Sequence, residues 1–168
     1  YRFISNQIPL TFGSGHTIES SILGGYQLSL ERVSFLGLIG AAFAVGDDEG
    51  VHSTRWGAKS VLSMYARPSD QTMAYASASY YTIANFVQLQ SKVGVKLFGD
   101  FDIGPEANFS WRNALPSTNT NNVSVIRIGG HISSVAFGPV QVGVSMGWAR
   151  QLDLGSGYYG VANFYWTF

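Results

Sequence analysis

Apolar and polar residues alternate with a period of two along most of this chain. In 101–112, Phe101, Ile103, Pro105, Ala107, Phe109 and Trp111 fall on one face. Asp102, Gly104, Glu106, Asn108, Ser110 and Arg112 fall on the other. Segments 140–150, 87–97, 124–135 and 18–29 repeat the pattern: Val140, Val142, Val144, Met146 and Trp148, for example, oppose Gln141, Gly143, Ser145, Gly147 and Ala149. Counting back from Phe168, one face carries Trp166, Phe164, Ala162, Gly160 and Tyr158, and the other Thr167, Tyr165, Asn163, Val161 and Tyr159. A period of two is that of a β-strand between two different surroundings. Segment 33–45 is apolar on both faces, 72–81 alternates small residues with Tyr, and 1–10 is weak.

The connections alternate in length. "LERV", "RPSDQ", "FGDF" and "FGPV" are tight and rich in turn formers. "TFGSGHT", "GDDEGVHST", "NALPSTNTNN" and "QLDLGSG" read as longer polar loops, with "TIANF" a short exception. Short turns at one end and long loops at the other are the habit of outer-membrane barrels. The count gives about ten strands with both termini periplasmic; eight is the lower alternative. Trp56, Trp111, Trp148 and Tyr158 then form an aromatic girdle near the external rim, and Phe35, Phe101, Trp166 and Phe168 one near the other rim.

Composition narrows this further. Of 168 residues only 12% are charged, 14% are aromatic, and 20 are Gly. That surface suits lipid better than water. A soluble β-sandwich would also alternate, but it would put its charges outside; here the continuous apolar set occupies one face and nearly all strand charges the other. The net charge is zero, which argues against nucleic acid as a partner. No Cys is present, so neither a disulfide framework nor a thiolate metal site is expected. The longest apolar run, 33–45, is too short for a transmembrane helix, so spanning requires a closed barrel. The chain opens at "YRFISNQ", inside a strand pattern, so a processed or truncated start is expected. The fold class expected is therefore all-β: a transmembrane, antiparallel, up-and-down barrel forming one domain over 1–168.

Phe164, Trp166 and Phe168 close the chain at alternate positions. This resembles the C-terminal signal by which the barrel assembly machinery recognises bacterial outer-membrane barrels. Three stretches carry a second resemblance: "MYARPSDQTMAYASASYYTI", "LFGDFDIGPEANFSW" and "VIRIGGHISSVAFGPVQVGVSMGWARQLDLGSGYYGVANF". Their order and spacing resemble the BcsS family of cellulose biosynthesis proteins over about residues 56–168, while the first 50 residues match only in pattern. The resemblance implies an outer-membrane protein linked to bacterial cellulose production, and it implies no catalytic residues. Members of that family carry more N-terminal sequence, and one further hairpin would make twelve strands.

Candidate chemistry lies on the polar faces. Pairing 87–97 with 101–112 through the "FGD" turn sets Lys96 opposite Asp102 and Lys92 opposite Glu106, with Arg127 and His131 near Glu106 or Asn108. A narrow barrel fills its interior with side chains, and buried charges must be paired, so this set is expected to plug the lumen. A path for ions or small solutes lined by these charges is the alternative. His131 and Ser133 are similar to the His-x-Ser of a lipid A deacylase barrel, but they face inward, away from lipid. "GDDEG" is expected to be a solvated loop. His16 and His52, placed in external loops, are too scattered for a metal site. No cofactor or metal is expected. The partners expected are outer-membrane lipid and lipopolysaccharide, the assembly machinery and other cellulose-secretion components. The function expected is a non-enzymatic accessory of cellulose production in the bacterial outer membrane.

Overall fold

The computed structural model describes residues 2–5, 16–48, 51–97, 101–112, 123–137, 140–152 and 155–166. Its strands are β1 (Arg2–Ser5), β2 (His16–Leu30), β3 (Val33–Asp48), β4 (Val51–Ser69), β5 (Thr72–Tyr81), β6 (Phe86–Lys96), β7 (Asp102–Arg112), β8 (Val123–Phe137), β9 (Val140–Gln151) and β10 (Gly155–Trp166). A turn of 3-10 helix, Ile83–Asn85, joins β5 to β6. Among the described residues these ten strands form one sheet in the order β1 to β10, each antiparallel to the next. Strands β2 to β10 run from 10 to 19 residues, enough to cross a bilayer, which takes about 9–11 residues at a tilt.

The sheet is strongly curled. Strands in a sheet lie about 4.8 Å apart, so β7 and β10 would sit about 14 Å apart if flat. Instead the Tyr159 hydroxyl of β10 bonds the Glu106 carboxylate of β7 at 2.8 Å, and Arg67 of β4 reaches Asp102 of β7 at 2.8 Å. Strands β1 and β10 come within 8 Å of each other at their Cα atoms. Among the described residues no ladder joins them, so the sheet stays open along that seam.

The two faces have opposite chemistry. The concave face buries Ser21, Lys59, Ser63, Asp102, Glu106, Asn108, Ser110, His131 and Ser145. The convex face exposes Ile22, Tyr26, Ile39, Leu62, Ile128 and Met146, with Ile22 at 73%. This reverses the usual arrangement of a protein in water. The concave face is also uneven. Along β2 and β3 it carries Leu23, Ala42 and Ala44, all buried, with Leu36, Leu38 and Gly40 at the other inward positions of β3. That is why 33–45 reads as apolar on both faces: its own inward positions are Leu, Gly and Ala, while the polar side chains beside them, Ser21, Lys59 and Ser63, come from β2 and β4.

The connections correct part of the sequence reading. Residues 46–54 and 151–157 are not long loops. The β3–β4 ladder continues without a break to Asp48↔Val51, and Gly155 pairs with Gln151. His16 opens β2 and His52 lies within β4, and the register sets both beside Asp47, so they are neither in loops nor scattered. Continued pairing satisfies backbone groups that a loop would leave to water, and Val45, Val51 and Thr54 favour it. Residues 11–15 and 113–122 lie outside the described residues. The "TIANF" connection is short because Thr82 stitches it to β4: its hydroxyl accepts from the Ala58 N–H at 2.8 Å, and its own N–H donates to the Ala58 carbonyl at 3.0 Å.

Candidate functional site

The polar cluster is built on β7. In "DIGPEANFSWR" every second side chain points into the concave face, which buries Asp102, Glu106, Asn108 and Ser110. The register sets Lys92 opposite Glu106 and Lys96 opposite Asp102 on one side, and Arg127 opposite Asn108 and His131 opposite Gly104 on the other.

Glu106 is the hub. Its Oε2 receives the Lys92 ammonium at 3.1 Å and the Ser145 hydroxyl at 2.7 Å, and its Oε1 receives the Tyr159 hydroxyl at 2.8 Å. Lys92 also reaches the Ser145 Oγ at 3.3 Å. A carboxylate with a paired ammonium and two O–H donors is well satisfied, as burial demands. Tyr159 reaches so far because of two glycines. One row of the sheet reads Glu106, Gly129, Gly147, Tyr159. A Cβ on Gly129 would come within 2.7 Å of the Tyr159 hydroxyl, so the phenol occupies space that side chains there would fill.

His131, 2% exposed, brings Nε2 to 3.2 Å from the Val93 carbonyl, and its Nδ1 lies 3.3 Å from the Ser133 Oγ. With Nε2–H donating to that carbonyl, Nδ1 is left to accept from Ser133. The pair has the contact of a nucleophile and base on the concave face, with His131 buried and Ser133 half-buried, and among the described residues no carboxylate hydrogen-bonds the imidazole.

Asp102, fully buried, is paired with Arg67. Sequence reasoning missed this partner because Arg67 belongs to the turn "RPSDQ". The period of two along β4, which points Lys59 and Ser63 inward, would have found it. Ser145 and Tyr159 were missed for a different reason: their contacts cross several strands, and only the curl brings them to Glu106. The pair of glycines at matching positions was the available sign.

The girdle residues lie on the convex face. Trp56 is 74% and Tyr158 91% exposed, Trp148 is the register partner of Tyr158, and Phe43 packs against Trp56 at 5.3 Å between ring centroids. Trp111 shares the convex side with Phe109. Phe164 and Trp166 lie in β10, opposite Val142 and Val140, and Phe168 is outside the described residues.

With this geometry in place, comparison with known families is decisive. The family described as cellulose biosynthesis protein BcsS matches residues 6–168. The chain belongs to the BcsS family. The match runs well beyond 56–168 and takes in β2, β3 and the start of β4, where the sequence showed only a shared pattern. BcsS membership ties this all-β sheet to cellulose biosynthesis. A search of curated proteins finds no match to the chain.

Proposed function

We propose that this BcsS chain is a closed β-barrel of the bacterial outer membrane that serves cellulose production without catalysis and without passing the glucan through its own bore. One observation carries the reading. Large apolar side chains such as Ile22, Ile39, Leu62 and Met146 are exposed on the convex face, while Asp102, Glu106 and His131 are buried on the concave one. In water that arrangement would expose a very large apolar patch, whereas in lipid it follows directly from the solvent. Lipid and the acyl region of lipopolysaccharide are the partners of the convex face. The last strand, with Phe164, Trp166 and Phe168, is the part offered to the assembly machinery.

The bonds between β4 and β7, and among β6, β7, β9 and β10, span the interior. A glucan chain needs a clear bore, and ties of this kind across the concave face support the reading that it has none here. The contribution to cellulose is made from the outer wall or the ends, toward other cellulose-secretion components. The test is to delete the gene and restore it with single-site photocrosslinkers. Deletion should lower cellulose yield. Nascent glucan should not crosslink from Lys92 or Arg127. Glucan captured at either position, or an unchanged yield, would overturn the reading.

A further inference from the structure

Two of the chain's three histidines stand in one row of the sheet. His16 of β2 is the register partner of Asp47 of β3, and Asp47 is the partner of His52 of β4, so the row reads His16, Asp47, His52. The register runs unbroken from there through Ile18, Val45 and Thr54 to Ser20, Phe43 and Trp56. Ile22 and Trp56 are exposed on the convex face, and the period of two places the His16 row on that same face. Four residues along β4 set it about 13 Å beyond Trp56. It is next to the pair Asp48↔Val51, the last of the β3–β4 ladder. The third histidine, His131, belongs to the concave face and is far from this row in the strand order.

We propose that His16, Asp47 and His52 form a binding site for one transition-metal ion of the zinc class. The place of the three residues in the ladder carries the proposal. Directly opposite residues of an antiparallel pair have Cβ atoms about 4.5–5.5 Å apart, so an ion centred over Asp47 has one histidine position about 5 Å to either side. Imidazole nitrogen binds zinc at about 2.0–2.1 Å and carboxylate oxygen at about 2.0–2.2 Å, and a histidine side chain is long enough to cover that lateral step. Two imidazoles and a carboxylate suit zinc, copper or nickel, whereas calcium and magnesium take oxygen ligands. Three ligands, one from each of three adjacent strands, leave the fourth corner of a tetrahedron to water or to an external oxygen donor. A row of the same residues held by hydrogen bonds alone would bind no ion, and that is the alternative the test excludes.

The site needs only the β2–β4 ladder and does not depend on the barrel reading. The test uses the full chain without an affinity tag, folded in detergent, stripped with a chelator and titrated with zinc in a calorimeter. One saturable site per chain is expected, with Tm raised by about 5–10 °C near a hundredfold excess of free zinc over Kd. His16→Ala and His52→Ala should each weaken binding by more than the roughly 10–100-fold that losing an outer support of a metal ligand costs. Asp47→Asn, which keeps the side chain's size, should weaken it as well. Copper(II) at the site should show two imidazole nitrogens in its electron spin echo modulation, and one in either histidine variant. The copper spectrum of the unsubstituted chain decides the site even where a substitution unfolds the protein. No saturable zinc binding, an affinity unchanged in either histidine variant, a single imidazole on copper in the unsubstituted chain, or equal binding of magnesium would overturn the site.

Discussion

Replacing Glu106 by Gln keeps the side chain's size and removes its charge. The amide oxygen can still accept from Ser145 or Tyr159, but the amide nitrogen is a donor and must meet one of the donors that Glu106 now satisfies. Lys92 loses the acid it is paired with, at 11% side-chain exposure against 3% for Glu106. Removing one member of a buried ion pair costs about 3–5 kcal/mol, because the other charge remains buried. Neutralising both members is far milder, often near zero. Glu106→Gln should therefore cost about 3–5 kcal/mol, and adding Lys92→Met should recover most of it, a coupling read from the double-mutant cycle. Urea unfolding in detergent micelles, compared at constant slope, measures all three variants. Losses below about 1 kcal/mol for both single changes would show that water reaches the pair, and the argument for a filled interior would fail.

Three further outcomes follow from the same contacts. Asp102→Asn should cost less than Glu106→Gln, about 1–3 kcal/mol, because its partner Arg67 is 32% exposed and partly hydrated; urea unfolding ranks the two. Tyr159→Phe should leave Glu106 Oε1 without its hydroxyl donor and cost about 1–3 kcal/mol, read by urea unfolding; a loss near zero would show that water replaces the phenol. Substituting Ala for both Trp166 and Phe168 should lower the fraction of chain found folded in the outer membrane while leaving refolding in detergent nearly unchanged; equal losses in both would assign these residues to stability alone.

Much of the fold is legible in local pattern, because a strand between two solvents writes its faces into every second residue. Segment 101–112 shows this most plainly, and the Lys92–Glu106 register follows from one tight turn. Where the environment does not alternate, the pattern is silent. The inward positions of β3 are Leu36, Leu38, Gly40, Ala42 and Ala44, as apolar as its outward ones, so its residues record no contrast. Polar composition misled at 46–54, since a backbone ladder pairs polar residues as readily as apolar ones. The site was partly legible for a related reason. Contacts between adjacent strands, such as Lys92 with Glu106, can be counted from the turns. Contacts across the curl, such as Arg67 with Asp102 or Tyr159 with Glu106, depend on curvature, which no single strand encodes.

The central claim is that the apolar convex face lies in lipid. The chain contains no Cys, so a single cysteine carrying a spin label can be placed at Ile39, Leu62, Ile128 or Met146, all exposed on that face. In reconstituted vesicles, the collision rate of each label with molecular oxygen, which concentrates in lipid, is compared with that of a water-soluble nickel chelate. All four sites should show high oxygen and low nickel accessibility, while a label in 113–122 should show the opposite. High nickel accessibility at these four positions would place the face in water and contradict the account.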